Sequence, residues 1–135
     1  MGWIASGALV LFGCGSPSGT PMITAPDVGP ARAAIVASLD AWKSGRREGG
    51  TIGVSPAIGI VDSQRSERLL LDYEVVGPLT VVDNARPFAV RLVLDAPRES
   101  VTTRYLVLGQ DPLWVFRQDD FDRMLHWEHK MTPVQ

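Results

Sequence analysis

Asp122, His126 and His129 fall at i, i+4 and i+7, so a helix would place one carboxylate and two imidazoles on a single face. That donor set suits zinc, although the spacing is not the HExxH of zinc proteases. The same segment carries Phe121, Met124, Trp127 and Met131 at helical spacing, which reads as a short C-terminal amphipathic helix docked by its apolar stripe, with the histidines in water. On that reading no metal is expected. Tyr73 and Tyr105 alternate inward on two strand-like segments and offer phenol donors for an oxyanion, as an isomerase-type apolar cone would. Such chemistry also needs a carboxylate, yet Asp40 lies off the apolar stripe of its helix, and Asp72 and Glu74 face away from Tyr73. The tyrosines therefore read as amphipathic core rings with their hydroxyls at the rim.

Asp72, Glu74, Arg91, Arg104 and Arg117 gather on the expected non-core face of a sheet. Three guanidiniums there would grip a carboxylate or phosphate, but cross-strand ion pairs on a solvated face explain the same pattern. Ser63, Ser66 and Ser100 lack a glycine-elbow context, and Gly49-Gly50 lacks the spacing and the lysine of a phosphate loop. Arg32, Lys43, Arg46 and Arg47 spread around a helix and its exit, a weak patch for anionic lipid. The expectation is a non-catalytic domain with no cofactor and no small-molecule ligand.

The chain that must position these residues has 135 positions, room for one domain, and a formal net charge of −2, which provides no bulk attraction to nucleic acid. Its single cysteine excludes an internal disulfide and a cysteine-built zinc site. Trp3–Gly13 is uncharged, too short to span a bilayer, and of the right length for the apolar core of an export signal. It ends in Leu11-Phe12-Gly13-Cys14, which resembles the bacterial lipobox. The resemblance implies diacylglycerol transfer to Cys14 and cleavage before it, giving a signal peptide over 1–13. A Gly/Ser/Pro tract follows, the composition of a tether, over 14–29. Secretion with cleavage nearby, or burial of Trp3–Gly13 in the core with Cys14 as a small packing residue, are the alternatives. The lipobox reading places the domain in the cell envelope, outside the cytoplasm, with a membrane as its first partner.

The single folded domain is expected over 30–131. Pro30 suits a first helical turn, and Ala31, Ile35, Leu39 and Trp42 form an apolar stripe flanked by Ala34 and Ser38, with Gly45 as C-cap. From Ala57 to Gln118 the sequence reads as strand. Leu69, Leu71, Tyr73 and Val75 form one face of the first strand. Phe88, Val90, Leu92 and Leu94 alternate in the next, and a turn at Ala96–Arg98 hands over to Val101, Thr103, Tyr105 and Val107. A turn at Gly109–Pro112 then leads into Leu113–Arg117. Short connections require antiparallel neighbours. The expected fold is α+β: one amphipathic helix on a curled antiparallel sheet of about four or five strands.

Three strings, Leu39-Asp40-Ala41-Trp42-Lys43-Ser44-Gly45, Leu71-Asp72-Tyr73-Glu74 and Tyr105-Leu106-Val107 with Asp111–Arg117, resemble a group of small exported bacterial proteins whose helix-then-meander layout is similar to cystatin-like or NTF2-like domains. The resemblance implies a fold and defines no catalytic motif. It leaves two functional expectations. One is a membrane-tethered domain that binds a protein at an open sheet edge; the other is an NTF2-like small-molecule binder or isomerase with an apolar cone.

Overall fold

A computed structural model describes Gly2 and residues 24–53 and 56–131, with side chains as far as His126. Of the segment expected as a signal peptide, 1–13, only Gly2 is described, and Cys14 lies outside the described residues. Helix α1 spans Val28–Lys43, beginning two residues before Pro30. The expected stripe, Ala31, Ile35, Leu39 and Trp42, is buried, and so are the flanking Ala34 and Ser38. Gly45 takes φ 107°, its N–H donates to Trp42 O, and the N–H of Arg46 donates to Ala41 O. These paired bonds satisfy the last carbonyls of the helix, and the positive φ is why glycine stands there.

Six strands follow: β1 (Gly50–Ile52), β2 (Ile58–Val61), β3 (Leu69–Pro78), β4 (Arg86–Asp95), β5 (Glu99–Gly109) and β6 (Leu113–Arg117). A short 3-10 turn, Ser63–Ser66, separates β2 from β3, and helix α2 (Gln118–Met131) ends the described chain. The α+β class holds, but the sheet differs from expectation in three ways. It has six strands in the order β1-β2-β6-β5-β4-β3, it is mixed because β2 runs parallel to β6, and it is open rather than curled. The segment Ala57–Gln118 is not continuous strand either, since the 3-10 turn and the loop after Pro78 interrupt it.

The sheet has two covered faces. Against α1 pack Ile58, Ile60, Leu70, Phe88, Val90, Leu92, Leu94, Tyr105, Val107, Leu113 and Val115. Burying Trp42, Ile35 and Leu39 on this face stabilises the fold by about 5–8 kcal/mol. On β3 the inward residues are Leu70, Tyr73 and Val75, not Leu69 and Leu71. A β-bulge between Leu70 and Asp72 inserts Leu71 and shifts the alternation by one place, leaving Leu69 and Leu71 exposed. The opposite face is partly covered by α2. Phe121 and Leu125 pack with Ala85, Leu106, Leu108 and Phe116, and Phe116 meets Phe121 edge-on at 5.5 Å between ring centroids. Met124 stays exposed, so the docked stripe of α2 is Phe121–Leu125 rather than one through Met124. The side chains of Trp127 and Met131 lie outside the described residues.

Candidate functional site

The strongest gathering of polar side chains sits inside the α1 face, where β2 ends. Asp62 follows the last residue of β2, and its Oδ1 accepts from the N–H of Gln64 at 3.1 Å, capping the 3-10 turn. Its Oδ2 accepts a 2.7 Å hydrogen bond from Tyr105 Oη, and both residues are buried. Burial raises the Asp62 carboxyl above its ordinary range; the bonds from Tyr105 and Gln64 and the Arg117 charge pull against that rise, and Asp120 reinforces it. Tyr105 is pushed well above the usual phenol range, first by burial and then by the Asp62 charge.

Three residues on, Arg65 is fully buried. Its Nη1 donates to Ser38 O and Oγ, both at 2.9 Å, and its Nη2 donates to Arg46 O at 2.8 Å. The guanidinium lies 5.8 Å from the centroid of the Trp42 ring, a cation–π distance. Burial pushes Arg65 below the ordinary arginine range, and Asp62 opposes that shift. Asp120, at the start of α2, accepts from the N–H of Ser63 at 2.9 Å. The 3-10 turn is thus held by groups from α1, β5 and α2.

A phenol hydrogen-bonded to a carboxyl of raised pKa is the pair an apolar isomerase cone uses. Here neither of the cavities formed by the described residues reaches the pair. Ile35, Trp42 and Tyr105 are each at most 1% exposed and fill the space between helix and sheet, so no substrate atom has room beside the hydroxyl. The arrangement can satisfy buried backbone and hold a turn.

The residues singled out in the sequence disperse. Tyr73 does point inward, but a carboxylate joins it after all: its Oη donates to Asp40 Oδ1 at 2.6 Å, at the solvent rim of α1. Partial burial, followed by the Asp40 bond and charge, pushes Tyr73 up to about 12. Of the five charged residues assigned to one sheet face, Arg117 is on the other. It pairs with Tyr105 across β5–β6 and so leaves the strand on the Tyr105 side, and its guanidinium also pairs with Asp119. Glu74 and Arg91 form a 3.2 Å ion pair, exposed on both sides. Lys43 meets Asp72 at 3.5 Å. Arg46 and Arg47 donate to Thr51 O and Ser66 O, at 3.1 and 2.8 Å, and so close loops. Ser66 Oγ donates to Ser63 O. Asp122 accepts from Gln118 at 2.7 Å, and Asp122 and His126 are both exposed on α2. The side chain of His129 lies outside the described residues. Among the described residues no three His, Cys, Asp or Glu side chains gather as a metal site.

The open surface lies on the α2 face. A groove of about 440 Å³ runs between α2 and the loop after β3, walled by Leu79, Val82, Leu106, Phe121 and Leu125, with Arg104 at its edge. It continues into a shallower depression of about 470 Å³ over Ala89, Thr102 and Arg104, bounded by Gln118 and Asp119. Arg104 has no carboxylate within ion-pair distance among the described residues.

Sequence reasoning missed Asp62, Arg65 and Asp120. Two signals were present, one for Asp62 and one for Arg65. Asp62-Ser63-Gln64 has the form of an acidic cap on a tight turn, and Ser38 on the buried stripe of α1 needed a partner. No family model, no curated protein and no solved structure matches this chain.

Proposed function

We propose that this chain is a lipid-anchored binding domain of a bacterial cell envelope, tethered through Cys14 and without catalytic activity. The observation that carries the reading is the uncharged run Trp3–Gly13 ending on the chain's one cysteine, with a Gly/Ser/Pro tract leading into a folded body. The body's buried polar groups support the non-catalytic part, because Asp62, Arg65 and Tyr105 are engaged with one another or with backbone and Ser38, rather than turned toward a cavity. Among the described residues no helix is long and apolar enough to cross a membrane, so in this reading the acyl chains do the anchoring. The order of α1 followed by the β3–β6 meander is the feature similar to cystatin-like and NTF2-like domains. The parallel β2–β6 pair is a departure from the expected layout.

A protein partner fits the open part of the α2-side face better than the sheet edges. At one edge β1 has three residues. At the other, β3 is interrupted by register shifts at Leu70/Asp72 and Val75/Gly77, which spoil the ladder that an added strand would need. The shallow depression around Thr102 and Arg104 is exposed, and offers a cation without an ion-pair partner among the described residues. The isomerase alternative keeps one supporting observation, the Tyr105–Asp62 pair.

The anchor is tested by the intact mass of the protein in the membrane fraction of an expressing cell. A mass of residues 14–135 plus acyl chains is expected, and Cys14→Ser should release the domain from that fraction. A mass beginning at Met1 without acylation overturns the reading. A photo-crosslinker at Thr102 should capture one protein species in those membranes; no adduct there overturns the docking face.

A further inference from the structure

We propose that the end of the domain where the chain arrives from Cys14 is itself a membrane-contacting surface, which dips aliphatic side chains into the lipid headgroup layer. The inference rests on the lipid-anchor reading. It begins from where the tether ends: Pro26 is buried, and its carbonyl accepts from Arg86 Nε at 3.0 Å. The residues just before α1 are therefore fixed against the first residue of β4, and this end of the sheet is the one presented toward the anchor. From Cys14 to Thr24 the chain can extend at most about 35 Å.

The loop between β3 and β4 projects from the same end, and it has the wrong chemistry for water. Leu79, Val81 and Val82 are exposed, Val82 at 59%, and Val28 at the first residue of α1 is exposed as well. Asp83 and Asn84 make the turn with positive φ, and Val82 and Ala85 exchange hydrogen bonds of 3.3 and 2.9 Å in both directions. The N–H of Leu79 is also bonded, to Pro87 O at 2.8 Å. The loop thus offers aliphatic side chains on a backbone whose Leu79, Val82 and Ala85 N–H groups are bonded within the protein, which lowers the cost of bringing it into a poorly hydrated layer. Asp83 and Asn84 are exposed at the turn, and their polarity limits the depth to the headgroup region. Arg32 lies one turn along α1 from Val28 and is exposed, in reach of headgroup phosphate. A contact of a few aliphatic groups is weak alone. Tethering at Cys14 makes it effectively intramolecular, so it forms without further affinity.

The acylated protein, purified from membranes and reconstituted into vesicles of phosphatidylethanolamine and phosphatidylglycerol, tests this. With Cys14 blocked by acylation, Val82→Cys and Ser100→Cys each supply one thiol for a nitroxide. Ser100 is exposed at the start of β5, at the far end of the β4–β5 pair from Arg86. The label at position 82 should be several-fold less accessible to a water-soluble paramagnetic reagent than the label at 100, and more accessible to oxygen. Placing Asp at Val81 in the Val82→Cys protein should erase the difference. Equal aqueous accessibility at both sites, on protein whose mass shows the acyl chains, overturns this inference alone. A mass without acyl chains overturns the anchor reading and this inference with it.

Discussion

Removing one oxygen atom, in Tyr105→Phe, tests whether the buried pair is a structural clasp. The substitution leaves Asp62 Oδ2 without its 2.7 Å donor, in a residue 8% exposed. A buried acceptor stripped of its partner costs about 1–3 kcal/mol, a large share of the roughly 5–15 kcal/mol that holds a domain of this size together. The cost should depend on pH with a definite sign. Burial raises Asp62 above its ordinary value of 3.8, so the stability it contributes is fully present below that value and is lost as pH rises through the raised folded value. The Tyr105 bond opposes the rise. Phenylalanine removes that opposition, moves the folded value higher, and makes the penalty larger near neutrality than in acid. Urea unfolding of wild type and variant on both sides of the raised value reads the difference directly. Asp62→Asn is the companion: its carbonyl can accept from Gln64 and its amide can donate to Tyr105, without a charge to desolvate. It should cost less than Tyr105→Phe near neutrality and lose the pH-dependent term. A Tyr105→Phe penalty that is flat or grows toward acid would refute the reasoning, because the Tyr105 bond would then not be favouring the carboxylate form of Asp62.

Other outcomes follow from the same structure. Trp42→Ala removes a fully buried ring, its 2.9 Å bond to Arg68 O and the surface over which Arg65 lies; a loss of about 3–5 kcal/mol in urea unfolding is expected. Glu74→Ala breaks an exposed ion pair with Arg91 and should cost less than about 1 kcal/mol, with the difference fading in high salt. At Gly59 an added Cβ would run into the Trp114 ring. Gly59→Ala should therefore displace Trp114 from the sheet and red-shift its emission, without unfolding the domain.

The elements whose side chains follow a single period were legible in the sequence. The stripe of α1, its glycine cap, the alternation of β4 and β5 and both of their turns stand where residue spacing places them. Errors arose where the period is broken or too short to register. Leu69-Leu70-Leu71 offers three leucines to a rule that selects alternate residues, and only the bulge decides which one turns inward. β1 and β2 are three and four residues long, with glycines among them, so no alternation is available to read. Arg117 follows from Tyr105 only through the β5–β6 register, which is a property of two strands at once.

The parallel pairing of β2 with β6 also accounts for the buried charge. After β2 the chain must reach β3 at the other edge, across four strand spacings, or about 19 Å. The seven residues Asp62–Arg68 span at most about 24 Å, so the crossover is nearly taut, and with Ser63, Ser66 and Glu67 exposed it turns Asp62 and Arg65 inward. It is pinned at several points along its length, three of them by side chains buried in the α1 face. Asp62 binds Tyr105 on β5, Arg65 binds Ser38 on α1, and Arg68 O accepts from Trp42 Nε1. A plain antiparallel meander would have needed none of these bonds, which is why the residues that make them do not stand out in a sequence read as one. The tyrosine, the carboxylate and the arginine are, on this argument, the fastening of a crossover. Loosening it at Asp62 should free the 3-10 turn before it disturbs β4 and β5, visible as early amide exchange at Gln64 and Arg65 in Asp62→Ala while Val90 and Leu92 remain protected.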